Sequence, residues 1–145
     1  MKFVVLQHIQ PAKQVPFPRR RYLQMMAEAA DKGTDEDKSK GQDVHFDLML
    51  ETAEGLRTWA MGCLPVAGKS CGAIELPLHR ADYLTHQGPV SEGRGSVKRV
   101  MQGSYVFLAP QQVKLQMQKQ HLIIEMNEIQ PAHFRFLFVC PTQTV

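Results

Sequence analysis

No apolar run in this sequence approaches the roughly 20 residues that a membrane-spanning helix requires, and no Cys-x-x-Cys pair occurs. The first absence argues against a helical membrane protein. The second, with only Cys63, Cys71 and Cys140 and so an odd count, argues against a disulfide framework or a structural zinc site. Reduced thiols in a reducing compartment are expected instead. Residues Met1 to His8 begin like the basic and apolar parts of a signal peptide, but the apolar stretch stops after four residues, so a cytoplasmic location is expected. Neither charge sign dominates: 17 Lys and Arg against 14 Asp and Glu leave a net +3, with the basic residues scattered. That balance excludes a surface built to coat nucleic acid and leaves open a contact confined to a nucleic-acid end. Internal repeats and low-complexity tracts are also missing.

A length of 145 residues suffices for one domain with a real core, and residues 1–145 are expected to form a single unit. Residues 2–8 have the continuous apolar texture of a buried strand. After Pro11 the texture changes. Pro16 and Pro18 bracket a turn, then Tyr22, Met25, Met26, Ala29 and Ala30 recur at helical spacing, and Gly33 is a natural stop, which predicts a helix near residues 19–32. Thr34 to Asp43 is charged and lacks apolar residues, as a mobile surface loop does. Residues 10–43 therefore read as an insertion between two strands. From Val44 onward strand follows strand, with turns at Ala53-Glu54-Gly55, Pro65 to Gly68, Gly88-Pro89, Gly93 to Gly95, Gly103 and Pro110. Short strands at this spacing predict a mainly β fold, either a sandwich or a small closed barrel of antiparallel strands.

Within Val44 to Glu51, strict alternation sends Phe46, Leu48 and Leu50 to one face and His45, Asp47, Met49 and Glu51 to the other. An imidazole and a carboxylate two residues apart on a strand point the same way. If the first two strands are neighbours, His8 joins His45 and Asp47 in a two-nitrogen, one-oxygen set suited to manganese, zinc or iron(II). Each of these histidines taken alone is more often a solvated or core residue. Arg94, Lys98 and Arg99 follow the turn Ser91 to Ser96 and offer cations for a phosphate, with a solvated hairpin as the plain alternative. Arg19-Arg20-Arg21 has the same two readings, backbone contact or solvated helix end. Gly68-Lys69-Ser70 is not a phosphate-binding loop of the Walker type, because Cys63 stands where that loop requires glycine. Met25-Met26 and Trp59 read as packing residues.

In order along the chain come Phe3 to His8, His45-Phe46-Asp47-Leu48-Met49-Leu50-Glu51, Gly55-Leu56-Arg57-Thr58-Trp59-Ala60, His79-Arg80-Ala81-Asp82-Tyr83, Gly88-Pro89-Val90, Glu92-Gly93-Arg94-Gly95 and Gly103-Ser104-Tyr105. This ordered set resembles the 3′-phosphoesterase domain of bacterial DNA ligase D, which also occurs as a stand-alone protein, over about two thirds of the chain. The resemblance implies a compact β-barrel and a manganese-dependent activity that trims a 3′-terminal ribonucleoside and removes a 3′-phosphate. It implies nucleic-acid 3′ ends as substrate and DNA end-joining or ligase components as partners, with no membrane. It assigns metal binding to His8, His45 and Asp47, and contact with the scissile phosphate to His79 and Tyr83, so that His45, His79 and Tyr83 form the expected catalytic group. Three positions where the family carries a cation hold Met49, Cys63 and Cys71 here, and the insertion after His8 is longer than the family's.

Three functions follow as expectations. The first is a metal-dependent phosphoesterase on 3′ ends. The second, drawn from Met49, Cys63 and Cys71, is a non-catalytic module that binds metal or phosphate at nucleic-acid ends. The third, remote from both, is a non-haem iron oxygenase, in which His45, Asp47 and a distant His121 supply the ligands and Arg135 an acid-binding cation.

Overall fold

The computed structural model describes residues 1–11, 42–89 and 95–141. Nine strands follow in sequence: β1 (Lys2–Pro11), β2 (Gln42–Thr52), β3 (Gly55–Met61), β4 (Ser70–His79), β5 (Gly88–Pro89), β6 (Ser96–Ala109), β7 (Gln112–Gln116), β8 (His121–Gln130) and β9 (His133–Val139). All pairings are antiparallel. They run β1-β2-β3-β4-β9-β8-β7-β6, and β6 returns to β1, so eight strands close a barrel while the two-residue β5 adds onto β6. Closure leaves no long unpaired edge. The closed barrel is the one of the two β architectures that this chain adopts.

An eight-stranded barrel is just wide enough for its own side chains to fill. Here the alternation seen in the sequence supplies them: Phe3 and Val5 from β1, Leu48 and Leu50 from β2, Trp59 and Met61 from β3, Val113 and Leu115 from β7, and Phe136 and Phe138 from β9 make one buried cluster. Phe134, Phe136 and Phe138 stack edge-to-face along β9 with centroids 6.0 and 6.5 Å apart, and Trp59 lies 6.2 Å from Phe136. Trp59 is thus a packing residue, 1% exposed. Near the barrel end Tyr105 donates its hydroxyl to the Glu51 carbonyl at 2.6 Å. Tyr105→Phe removes that bond and keeps the ring, so a loss of about 1 kcal/mol is expected in urea unfolding.

β1 is buried on both faces, which explains its continuous apolar run. Phe3 and Val5 enter the barrel, whereas Val4 and Leu6 point outward and join Met49, Leu56 and Val97 in a second cluster covered by Tyr83 and Leu84. Those two residues belong to a 3-10 turn, Ala81–Leu84, the only helical element among the described residues. No described helix is long and apolar enough to cross a membrane. The helix expected near 19–32, the basic run Arg19 to Arg21 and most of the charged loop lie outside the described residues. The inserted segment is shorter than 10–43, since β1 continues to Pro11 and β2 starts at Gln42, the two paired with each other.

β6 is the longest strand and serves two neighbours. Its first half pairs with β1 and its second with β7, with Ser104 opposite both Lys2 and Gln116. At this crossover Gly103 packs so closely that a Cβ would run into the Gln116 carbonyl oxygen and meet the Phe3 ring at 3.0 Å. Only glycine fits there.

Candidate metal centre

The outward face of β1 and β2 carries the histidine and aspartate residues. His8 and His45 are direct cross-strand partners, and Leu6 is opposite Asp47. Register and alternation therefore set both imidazoles and the carboxylate side by side. Their ring centroids are 4.9 Å apart, His45 Nε2 lies 3.1 Å from Asp47 Oδ1, and His8 Nδ1 lies 3.5 Å from Asp47 Oδ2. One ligand atom from each of the three residues falls within 4.8 Å of the others. The side chains are 18%, 10% and 5% exposed for His8, His45 and Asp47, so the set opens to solvent from the His8 side.

Burial pushes the Asp47 carboxyl up, but the charges of His45 and His8 at these distances outweigh it and hold the group well below the usual carboxylate range. Asp47 is therefore an anion at any pH near neutral. Its Oδ1 is nevertheless buried with no hydrogen bond formed to it among the described residues, the His45 ring nitrogen being its 3.1 Å neighbour. A buried carboxylate oxygen in that state is costly unless a cation satisfies it. Ligands about 2.1 Å from one cation and adjacent to each other sit about 3 Å apart, close to the spacing found here. Two nitrogens and one oxygen of this arrangement fit a divalent first-row metal and leave coordination positions for water or substrate.

Beside the set lies the 3-10 turn. Tyr83 packs with Leu84 on the outer apolar cluster, edge-to-face with His79 at 5.7 Å and with His86 at 5.9 Å. His79, at the end of β4, is opposite Leu56, which in turn is opposite Glu51. His79 thus shares the outward face with Asp47, two strands across and four residues further along, with Tyr83 covering the ground between. Its Nδ1 lies 2.9 Å from the Pro77 carbonyl, an acceptor only, so Nδ1 carries the proton and Nε2 is left to meet a ligand. Met49 occupies the centre of this ground and is 2% exposed in the apolar cluster.

Arg99, expected from the sequence as a phosphate contact, has a structural task in the fold. It is the β6 partner of Leu6, its Nη1 donates to the Leu84 carbonyl at 3.2 Å, and its backbone N–H donates to Gln87 Oε1 at 3.1 Å. The guanidinium thereby ties the turn to the barrel. Lys98 does not join the set: it pairs with Gln7 and alternates away from Val97 and Arg99, which share the outward face with His8. Arg94 lies outside the described residues. His121 is exposed at the start of β8, on the far side of the barrel from β2, so the oxygenase triad is not assembled; His8 takes the third position instead. Cys71 lies in the barrel interior and Cys63 packs against the same cluster, so neither thiol points into the set. His86 and the turn-fixing role of Arg99 were not anticipated. The Tyr83-x-x-His86 spacing was a visible signal for the first, while the second depends on contacts that the sequence does not advertise.

No family model matches the chain, and no curated protein matches it in sequence.

Proposed function

We propose that this protein is a divalent-metal-dependent phosphoesterase that acts on nucleic-acid 3′ ends, removing a 3′-phosphate or a 3′-terminal ribonucleotide. The observation that carries the reading is the convergence of His8, His45 and Asp47 on a face that also bears the His79–Tyr83 pair. Manganese is the metal we favour, and zinc or iron(II) suits the same donors. When bound, such a cation polarises a phosphoryl oxygen and lowers the pKa of water. The remaining chemistry belongs to side chains. Asp47 supplies fixed negative charge, His8 and His45 supply nitrogen donors, His79 moves a proton at Nε2, and the Tyr83 hydroxyl donates to a charged oxygen. An open groove of about 710 Å³ runs from Val4 and Leu84 past Arg99, Lys2, Gln102 and Gln118. It adjoins the outer cluster and offers cations and amides to the strand leading to the end. Reduced thiols suit a cytoplasmic setting beside DNA end-joining or ligase components.

The test is a gel assay on a primer-template ending in a 3′-phosphate or a single 3′-ribonucleotide, with and without manganese. Metal-dependent dephosphorylation or shortening that His45→Ala abolishes is the expected result. Activity retained in His45→Ala overturns the reading. A second reading, a module that binds 3′ ends without turnover, is favoured by one observation: Met49, buried beneath the turn, stands where the family carries a cation. Absence of product together with measurable manganese affinity decides for it, since loss of one charge-stabilising group can cost on the order of a hundredfold in rate.

A further inference from the structure

The β3–β4 hairpin carries two cysteines that no role at the metal centre explains. Met61 is opposite Ala73, and the Gly62 N–H continues the ladder by donating to the Gly72 carbonyl at 3.1 Å. One step further, Cys63 falls opposite Cys71. Both side chains belong to the interior cluster, Cys71 fully buried and Cys63 partly exposed, and the two are near enough for the Cys63 side chain to lower the Cys71 thiol pKa. Adjoining cross-strand positions at the end of an antiparallel ladder bring Cβ atoms within about 4.5–5.5 Å, and a disulfide needs about 3.5–4.5 Å. A small closing movement of the hairpin end bridges the difference, and the loop between the cysteines can absorb it.

We propose that Cys63 and Cys71 are a modification site, a dithiol that a hydroperoxide converts reversibly to a cross-strand disulfide. The partly exposed Cys63 meets the oxidant. Its thiolate attacks the peroxide, the O–O bond breaks, the sulfur becomes a sulfenic acid and the departing oxygen leaves as water or alcohol after taking a proton. Cys71 then attacks the Cys63 sulfur as thiolate; the S–S bond forms, the S–O bond breaks, and hydroxide takes a proton and leaves as water. Two thiols and one hydrogen peroxide thus give one disulfide and two waters. The environment suits Cys71 for the second step. In the reduced protein the Cys63 side chain, the backbone N–H groups of Cys63 and Gly62 and the charge of Arg135 draw the Cys71 thiol down against the opposing effect of burial, and the backbone groups and Arg135 remain once Cys63 is oxidised. The site stands independently of the phosphoesterase reading.

The exposed Cys140 provides an internal control for reactivity. The full chain is treated with hydrogen peroxide, the remaining thiols are alkylated, and the peptides are analysed by mass spectrometry. A linked peptide joining Cys63 to Cys71, lost after dithiothreitol, is expected, with a rise in melting temperature of about 5–10 °C for the oxidised protein. In Cys71→Ser, the partner that captures the sulfenic acid is gone and Cys63 should proceed to sulfinic acid. Should that buried substitution prevent folding, Cys63→Ser serves instead, and Cys71 should then stay alkylatable after denaturation at a peroxide dose that oxidises Cys140. Overoxidation of Cys63 in the unsubstituted protein, or both thiols unreacted when Cys140 is fully oxidised, overturns the proposal.

Discussion

Asp47→Asn is expected to remove the response of this protein to divalent cations while leaving the barrel folded. The substitution keeps the shape of a side chain that is 3% exposed and deletes its charge. With manganese at about 100 times its dissociation constant, the unsubstituted protein should gain about 2.7 kcal/mol, or roughly 10 °C in melting temperature. Asp47→Asn should weaken the affinity by more than about a hundredfold, the upper cost of losing a mere outer-shell partner, and the shift should vanish. The pH dependence has a definite sign. The Asp47 carboxyl is depressed in the folded protein, so its contribution to stability is present above the ordinary carboxylate value near 4 and lost as the pH falls through its lower folded value. Thermal denaturation with and without manganese at pH 7.5 measures the first effect, and denaturation of the metal-free protein across about pH 2–5 measures the second. An undiminished shift in Asp47→Asn would remove the carboxylate from the centre.

Gly103→Val is expected to be the most damaging single change to the fold. Strand propensity points the other way, since valine is among the best strand formers and glycine among the worst. Contact decides the outcome: a Cβ at this position would be driven into the Gln116 carbonyl oxygen, a backbone atom held in the β6–β7 ladder, and against the Phe3 ring. Flexible side-chain tips can move aside, but a paired carbonyl cannot do so without breaking the seam. The loss should exceed the roughly 3 kcal/mol that overpacking usually costs, lowering the melting temperature by more than about 10 °C. A variant as stable as the parent in calorimetry would show that β6 can shift without opening the barrel.

Much of the centre was legible because two periodicities coincide. The alternation from Val44 to Glu51 sends His45 and Asp47 outward together, and pairing of the first two strands brings in His8. Lys98 and Arg99 part for a related reason: alternation sends adjacent strand residues to opposite faces, and the register shift between Val5 and Leu6 in the β1–β6 pairing becomes visible only in three dimensions. The anchoring role of Arg99 depends on partners 15 and 12 residues away in an irregular segment, for which no periodic signal exists. Met49 departs from the pattern of the phosphoesterase domain that the sequence resembles, but its burial under Tyr83 and Leu84 follows from the turn docking on the outer face. The opposition of Cys63 and Cys71 was readable in principle from a hairpin turning between Pro65 and Gly68.

Closure of the barrel by β6 against β1 also dictates when the protein becomes complete. The β2–β3, β3–β4, β6–β7, β7–β8 and β8–β9 pairings join consecutive strands, so each can form as a local hairpin. The β1–β6 seam joins Phe3 to Gly103, a hundred residues apart in sequence, and repays its loop-closure entropy only once the ends meet. Such non-local topology belongs to the slow regime of milliseconds to seconds. The Arg99 tether to Leu84 and the pairing of Arg99 with Leu6 fall on this same seam. The cover beside the candidate metal ligands should therefore be among the last parts to order during folding, and the first to loosen when the seam opens.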